Sequence, residues 1–152
     1  MGGKDMKGAF IVAVHALVYL KHHPRPVSSE ELADNVCTNP ARIRKVMSAL
    51  CKSGLAVSHA GAVGGYEVGE KGGAVTLLEI LEAGGETAIK APWRSGDLHK
   101  DCQISSGIAG VMDTIFDDMD GLCRDYLATR TIDDIEAELF NDARTEETEA
   151  VS

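Results

Sequence analysis

The segment 28–52 places two short amphipathic helices in succession, with a three-residue break between them. Ser28 or Ser29 suits the N-cap of the first helix, because a serine hydroxyl can accept a hydrogen bond from a free backbone N–H of the first turn. The second helix has a sharper start: Asn39 stands at the N-cap position and Pro40 at the first helical position, where its fixed φ is favourable. The pattern predicts two helices joined by a tight turn.

The second of these helices carries apolar and basic side chains on different faces. Steps of three and four residues form the apolar face from Ile43, Val46, Met47 and Leu50. The segment 40–53 holds no carboxylate and four cations, namely Arg42, Arg44, Lys45 and Lys52. This pair is typical of a helix-turn-helix, whose second helix presents its N-terminal residues to base edges of DNA. A basic surface helix that contacts another protein fits the same residues, so both classes stay open here.

A β-hairpin is predicted directly after the basic helix. Gly54 can take the left-handed conformation that ends a helix. Residues 55–59 are strand-like, 60–65 form a glycine-rich turn and 66–68 form a returning strand. The turn glycines would let backbone N–H groups approach a DNA phosphate closely. A phosphate-binding P-loop is not predicted, because no helix with a Lys-Ser or Lys-Thr pair follows. A hairpin in this place is a wing.

The remaining segments supply a core and an extended apolar surface. A first helix over 7–22 is apolar on nearly every side, which predicts that it is buried. Thr76 and Glu79 predict a capping box for a helix over 77–83. After a loop, a helix from Ser105 or Ser106 carries an apolar stripe of Ile108, Val111, Met112, Ile115, Phe116, Met119, Leu122 and Cys123. Such a stripe must be covered: the first helix can cover part of it, and pairing with the same helix of a second copy would bury more.

The predicted segments form one mainly α-helical unit with a small β-hairpin. They are a winged helix-turn-helix over 1–83, a loop over 84–104, and a dimerisation helix with a closing helix over 105–140. In the closing helix, 131–140, we expect Ile132, Ile135 and Leu139 to face inward. The acidic tail, 141–152, is expected to be disordered.

Charge is distributed unevenly along the 152 residues. The net charge of −9 argues against a nucleic-acid partner, yet residues 1–66 hold eight Lys or Arg against four acids. Residues 113–149 hold thirteen acids against three Arg. Charges separated by more than about 10 Å are largely screened at moderate salt, so a basic face can act at one end of an acidic protein.

The cysteines and the first helix indicate which cellular compartment and which cofactors to expect. Four scattered cysteines with no CxxC pair indicate neither a zinc site nor a disulfide framework, so a reducing cytoplasm is expected. The apolar run 9–20 is too short to span a bilayer, so no membrane association is expected. A signal peptide is disfavoured because the basic segment 21–25 follows where a small-residue cleavage site should stand. His22 and His23 could be metal ligands, but a solvated helix end explains them more simply.

The chain has a helix, then a helix-turn-helix, then a glycine-rich wing. In this order of elements it resembles the Rrf2 family of bacterial winged-helix transcription regulators. The resemblance covers residues 7–139. The motifs that carry it are Lys7-Gly8, Val27-Ser28 through Leu32-Ala33, 50–55, Gly64-Gly65-Tyr66 and 76–80. The likeness is closest to the subgroup without an iron–sulfur cluster, in which a single Asp-Cys-x-Ile, like 101–104 here, opens the dimerisation helix.

The resemblance implies a homodimer on a near-palindromic DNA operator, with one recognition helix in each half-site and repression as the expected outcome. Arg42 and Arg44 are the candidates for base edges, since a guanidinium can pair with guanine through two hydrogen bonds. The remaining candidate contacts to DNA are Lys7, Ser28, Thr38, Asn39, Pro40, Lys45, Ser48 and Lys52, and in the wing His59, Gly61, Gly64, Gly65 and Tyr66.

Two departures from the family pattern matter. Cluster-binding members have three closely spaced cysteines near Cys102, whereas the next cysteine here is Cys123, so a four-ligand iron–sulfur cluster is not predicted. The family's wing usually has an arginine before its first glycine, and this chain has Ala60 there. Weaker or different wing contacts are therefore expected.

Cys102 is the candidate sensor residue. A thiolate near a helix N-terminus is favoured by the helix dipole, which raises its reactivity toward oxidants. The alternatives are a buried structural cysteine, a metal site with His99, and an enzyme in which His99 is the base for a Cys102 nucleophile one helical turn away. No oxyanion hole or substrate pocket is recognisable, so no enzyme is predicted. A winged helix that binds protein without reading DNA remains the alternative function.

Overall fold

The fold is mainly helical with a two-stranded hairpin, as the sequence predicts. The computed structural model describes the backbone of residues 6–151 and the side chains of residues 8–141. Within that range, the elements in chain order are α1 (Met6–His22), α2 (Ser29–Val36), α3 (Pro40–Lys52), β1 (Ala56–His59), β2 (Gly65–Val68), a 3₁₀ turn (Gly72–Ala74), α4 (Leu77–Ala83), α5 (Gln103–Ala128) and α6 (Ile132–Val151).

Helix α1 is the centre of the core. Ala16, Leu17 and Leu20 are at most 1% exposed, because α2, α3, α4, α6 and the wing surround this helix. Its nearly uniform apolar sequence predicts this position. None of the helices in the described part of the chain is long and apolar enough to cross a membrane.

Local capping interactions define the helix-turn-helix. The Ser28 hydroxyl accepts a hydrogen bond from the Glu31 N–H at 3.1 Å, and the Asn39 side chain accepts one from the Arg42 N–H at 2.8 Å. Cys37 has φ 65°, a left-handed conformation that few residues other than glycine adopt. It turns the chain so that the Thr38 N–H reaches the Ala33 carbonyl at 2.9 Å. The predicted turn is therefore present, with a cysteine at its strained position.

An ion-pair network joins α1 to α2. The Arg25 guanidinium and the Tyr19 hydroxyl both donate to the carboxylate of Glu31, at 2.6 and 2.7 Å. The Arg25 bonds and then the Tyr19 bond lower the pKa of Glu31 from 4.5 to about 2. This network holds the positioning helix α2 against the core.

The wing pairs with the connector before α2 as well as with itself. Strands β1 and β2 are antiparallel, with Ala56 opposite Val68 and His59 opposite Gly65. Val27 and Tyr66 exchange two backbone hydrogen bonds of 2.8 and 3.0 Å. A Cβ on Gly65, which has φ 147°, would lie 2.5 Å from the Val27 carbonyl oxygen. Glycine is required there by this close approach of two backbones.

Helix α4 and the start of α6 close the core on its other side. Thr76 and Glu79 form the predicted capping box. Backbone hydrogen bonds join the segment before α4 to the start of α6: the Ile132 N–H reaches the Val75 carbonyl at 3.0 Å, and the Leu77 N–H reaches the Arg130 carbonyl at 2.9 Å. Ile132 is fully buried, as predicted.

Helix α5 differs from its prediction at its start. It begins at Gln103 with Cys102 as the N-cap residue, not at Ser105 or Ser106. The Ser106 hydroxyl donates to the Cys102 carbonyl at 2.9 Å. A serine one turn into a helix can bond backward in this way instead of capping. The helix therefore begins two or three residues earlier than predicted.

Helix α6 differs from its prediction in two respects. Ile135 is partly buried and packs on the core, but Leu139 is 56% exposed, so its inward assignment is wrong. The helix also continues to Val151 through the segment expected to be disordered. That segment contains Ala, Glu and Arg, which favour helix, and no Gly or Pro to end it.

Substitutions on α6 test its contribution to stability. Ile132→Ala should lower the free energy of unfolding by about 2 to 5 kcal/mol, since it removes buried methyl groups and leaves a cavity. The matched control Leu139→Ala should change it by less than about 0.5 kcal/mol, because that side chain is already half exposed. Urea unfolding at one protein concentration measures both. Equal losses for the two variants would contradict this account of α6.

Candidate DNA interface

Helix α3 buries its apolar face and exposes its basic one. Ile43 and Met47 have no exposed surface and Leu50 is 1% exposed. On the other side, Arg42, Arg44, Lys45, Ser48 and Lys52 are all exposed. The cations therefore extend into solvent and do not pack beneath other side chains, as DNA contact requires.

The two arginines lie on opposite flanks of this exposed face. An α-helix advances about 100° per residue, so Arg42 and Arg44 are about 160° apart around α3, with Lys45 and Ser48 between them. Arg42 borders a cavity between α1 and α4. Arg44 lies toward α2, where its Nη1 is 3.5 Å from the Ser29 hydroxyl. The two guanidinium groups are thus directed to different parts of any groove that α3 enters.

The positive charge of α3 is only partly neutralised by the protein. The cations Lys21 and Arg25, in other elements, pair with acids: Lys21 with Asp133 and Glu136, and Arg25 with Glu31. Among the residues with described side chains, Arg42, Arg44 and Lys52 form no ion pair with a carboxylate. A face of this kind attracts phosphate groups.

The residues around the start of α3 combine capping with exposure. Asn39 is exposed, but its side-chain oxygen is engaged by the Arg42 N–H. Thr38 and Pro40 are partly buried. Ser28 is partly buried, and its oxygen accepts the α2 cap bond, while its hydroxyl proton can still donate to a phosphate. Lys7 lies within α1, but its side chain is outside the described residues.

The wing presents a mixed surface. His59 is exposed, and its Nε2 lies 2.7 Å from a carboxylate oxygen of Glu67 on the paired strand. Glu67 is absent from the sequence-based candidates, although the predicted hairpin places it across from the His59 strand. Its carboxylate adds negative charge to this part of the wing. Tyr66 is partly buried against the core, and burial raises the pKa of its phenol.

Gly61 and Gly64 of the wing differ in their structural roles. The Gly64 N–H donates to the Gly61 carbonyl at 3.0 Å, and a Cβ on Gly64 would meet the His59 carbonyl. This N–H is therefore engaged within the turn, and the fold itself requires glycine at 64. Gly61 has φ 107°, and no atom lies within 4 Å of where a Cβ would stand, so the space around it is open.

Cys102 is exposed at the N-terminus of α5 and is not buried in the core. The backbone N–H groups of Ser105 and then Ile104 lower the pKa of its thiol. The sulfur makes no complete capping hydrogen bond, so we attribute the lowering to partial alignment with these N–H groups. The arrangement favours a reactive thiolate.

The enzyme alternative, which pairs Cys102 with His99, lacks its geometric basis. Because α5 begins at Gln103, the two residues do not share a helical turn. His99 belongs to the preceding loop, where its N–H donates to the Asp97 carboxylate at 2.9 Å.

An iron centre would need several ligand side chains grouped in one place. Within the residues whose side chains are described, no three or more His, Cys, Asp or Glu side chains are grouped so that they could hold a metal ion. Cys102 lies at the α5 N-terminus, and Cys51 lies on α3. The described side chains therefore offer no grouped set of ligands for a cluster.

Comparisons with known proteins agree with this geometry. A family model described as Rrf2, iron-dependent transcriptional regulator, matches residues 6–138. YwnA of Bacillus subtilis (strain 168), named as an HTH-type transcriptional regulator, is 27% identical over 133 residues, which are 85% of this chain and 95% of YwnA.

Solved structures support the same assignment. The crystal structure of a protein from Lactobacillus plantarum, titled as a transcriptional regulator, matches with a TM-score of 0.76 and 26% identity over 93% of this chain and 96% of that one. CymR, titled the global cysteine regulator of B. subtilis, shares the fold with a TM-score of 0.56 and 20% identity over 91% of this chain and 96% of its own. With its winged helix-turn-helix and this family match over most of its length, the chain belongs to the Rrf2 family of transcriptional regulators, not to a family of enzymes.

Proposed function

We propose that this protein is a sequence-specific DNA-binding repressor that acts as a homodimer on a near-palindromic operator. The observation that carries the proposal is the exposed basic face of α3, held outward by the complete burial of Ile43 and Met47. A recognition helix enters the major groove in this way, with a wing beside it for the phosphate backbone. Arg42 and Arg44 are the proposed base contacts, and Lys45, Ser48 and Lys52 are proposed to contact phosphates.

The homodimer is inferred from α5. None of its 26 residues is buried in the single chain, although the helix is about 39 Å long at 1.5 Å per residue. The side toward α4 carries Phe116 and Cys123, which are partly buried. Beside that side runs an apolar stripe with residues spaced by three or four, in which Ile104, Val111, Ile115, Leu122 and Tyr126 are exposed and Ile108 and Met119 are partly buried. Its regular spacing suits a second copy of the same helix.

Regulation by thiol oxidation is the third part of the proposal. Cys102 is exposed at the start of the proposed dimerisation helix, and its thiol pKa is lowered. Oxidation there would change charge and size where α5 begins. A small rotation of α5 would alter the spacing of the two α3 helices, on which operator recognition depends.

Removal of either arginine tests the DNA contact. With DNA fragments selected from the source genome, Arg42→Ala and Arg44→Ala should each lose about 1 to 3 kcal/mol of discrimination against changed base pairs, whereas Lys52→Ala should weaken all sequences alike. Fluorescence anisotropy over a range of salt concentrations measures both effects. Lys90→Ala, which removes an exposed cation from the loop, is the matched control. Affinity that does not depend on salt would favour a protein-binding winged helix instead.

Charge introduced into the α5 stripe tests the dimer. Val111→Asp with Ile115→Asp should give a monomer in analytical ultracentrifugation, because carboxylates would be buried against apolar side chains at the interface. The operator affinity should fall in parallel. Thr114→Asp places one carboxylate on the same helix outside the stripe and should remain dimeric. A monomeric parent protein, or a doubly substituted dimer, would contradict the inference.

Peroxide treatment tests the sensor. Oxidation of the reduced protein should weaken operator binding, and Cys102→Ser should abolish the response while it preserves the affinity of the reduced state. Cys37→Ser is the control, because Cys37 is also exposed but lies in the helix-turn-helix turn. If the parent and Cys102→Ser respond alike, Cys102 is not the sensor.

A further inference from the structure

A cavity of about 400 Å³ lies between α1, α3 and α4. Its walls are mostly apolar and include Phe10 and Ala13 of α1, Leu50 of α3, and Ile80 and Leu81 of α4. This volume lies within the range of small-molecule sites, roughly 300 to 1,000 Å³. The helix-turn-helix fold does not need such a space, since protein interiors are normally closely packed.

Three charged residues are found among the described residues that line the cavity. Arg42 and Lys45 are exposed and therefore lie at its open side, whereas Glu86 is only 9% exposed and lies in its wall. The two cations give the opening a positive character. A ligand carboxylate would be attracted to Arg42 at the open side, which orients the ligand with its apolar part inside.

We propose that this cavity binds a small amphipathic carboxylate, with its apolar body between α1 and α4 and its carboxylate against Arg42 and Lys45. The inference rests on the proposed function, in which the same two side chains contact DNA. A bound carboxylate would pair with Arg42 and would therefore compete with DNA phosphates and bases for this side chain. Occupation of the cavity would therefore weaken DNA binding, and by linkage DNA would weaken binding of the carboxylate by the same factor.

Isothermal titration with sodium octanoate, in the absence of DNA, tests the site directly. Octanoate should bind at one site per chain at least about tenfold more tightly than 1-octanol, which has the same chain length and no charge. Ala9→Leu and Ala49→Leu, which fill the cavity from α1 and from α3, should each weaken octanoate binding at least about tenfold. Ala74→Leu adds the same atoms at an exposed position outside the cavity and should bind as the parent does.

The coupling is tested with the selected DNA. Saturating octanoate should lower the DNA affinity of the parent about tenfold and leave that of Ala9→Leu unchanged. If octanoate does not bind, or binds the filled variants equally, the site is refuted. If 1-octanol binds as tightly as octanoate, the carboxylate is not the recognised group and the ligand class is refuted. If octanoate does not change the DNA affinity of the parent, the coupling is refuted.

Two further outcomes separate this inference from the proposed function. A protein that binds octanoate in the cavity but binds no DNA would support the site and refute the proposed function. Filled variants that become monomeric, together with a parent dimer that binds no octanoate, would assign the cavity to the subunit contact and overturn the inference.

Discussion

The packing of α3 on α1 is the interaction on which the rest of the structure depends. Ile43, Met47 and Leu50 are at most 1% exposed, because α2, β1 and α4 complete the packing that α1 begins. Complete burial of one such side chain stabilises the fold by about 1.5 to 3 kcal/mol. Because the apolar side of the helix can only face inward, its cations must face outward. The same contact thus supplies stability and determines which side chains can reach a ligand as large as DNA.

Helix α5, in contrast to α3, leaves apolar side chains exposed to solvent. Its apolar residues exceed what α4 can cover, so Val111 remains 57% exposed and Leu122 70% exposed. The winged domain covers its apolar core within one chain, whereas α5 leaves apolar side chains exposed. In the proposed homodimer, the recognition helix is held rigidly by its own chain, and the relative placement of the two recognition helices depends on the separate contact through α5. That division suits a regulator whose signal must act at a distance from the DNA.

Local patterns in the sequence were sufficient for most of the fold. The caps at Ser28, Asn39 and Thr76 are where the residue types predict them, because capping needs only neighbours within one turn. The errors have tertiary or competing local causes. Leu139 follows the helical period but lies beyond the end of the core. The α5 start was misplaced because the Ser106 hydroxyl bonds backward, and the glycines at 64 and 65 serve backbone contacts that span the wing.

By itself, the sequence determined the order of the helices, the separation of apolar from basic residues on α3, and the family. The helices and their faces depend on spacing within single elements, and the family depends on motifs and their order along the chain. Only the tertiary structure decided that Arg42 borders a cavity while Arg44 faces α2. The same is true of the exposure of Cys102 at a helix start and of the contact between the Glu67 carboxylate and His59. Those facts arise where separate segments meet, and periodicity along one segment carries no information about the surface of another.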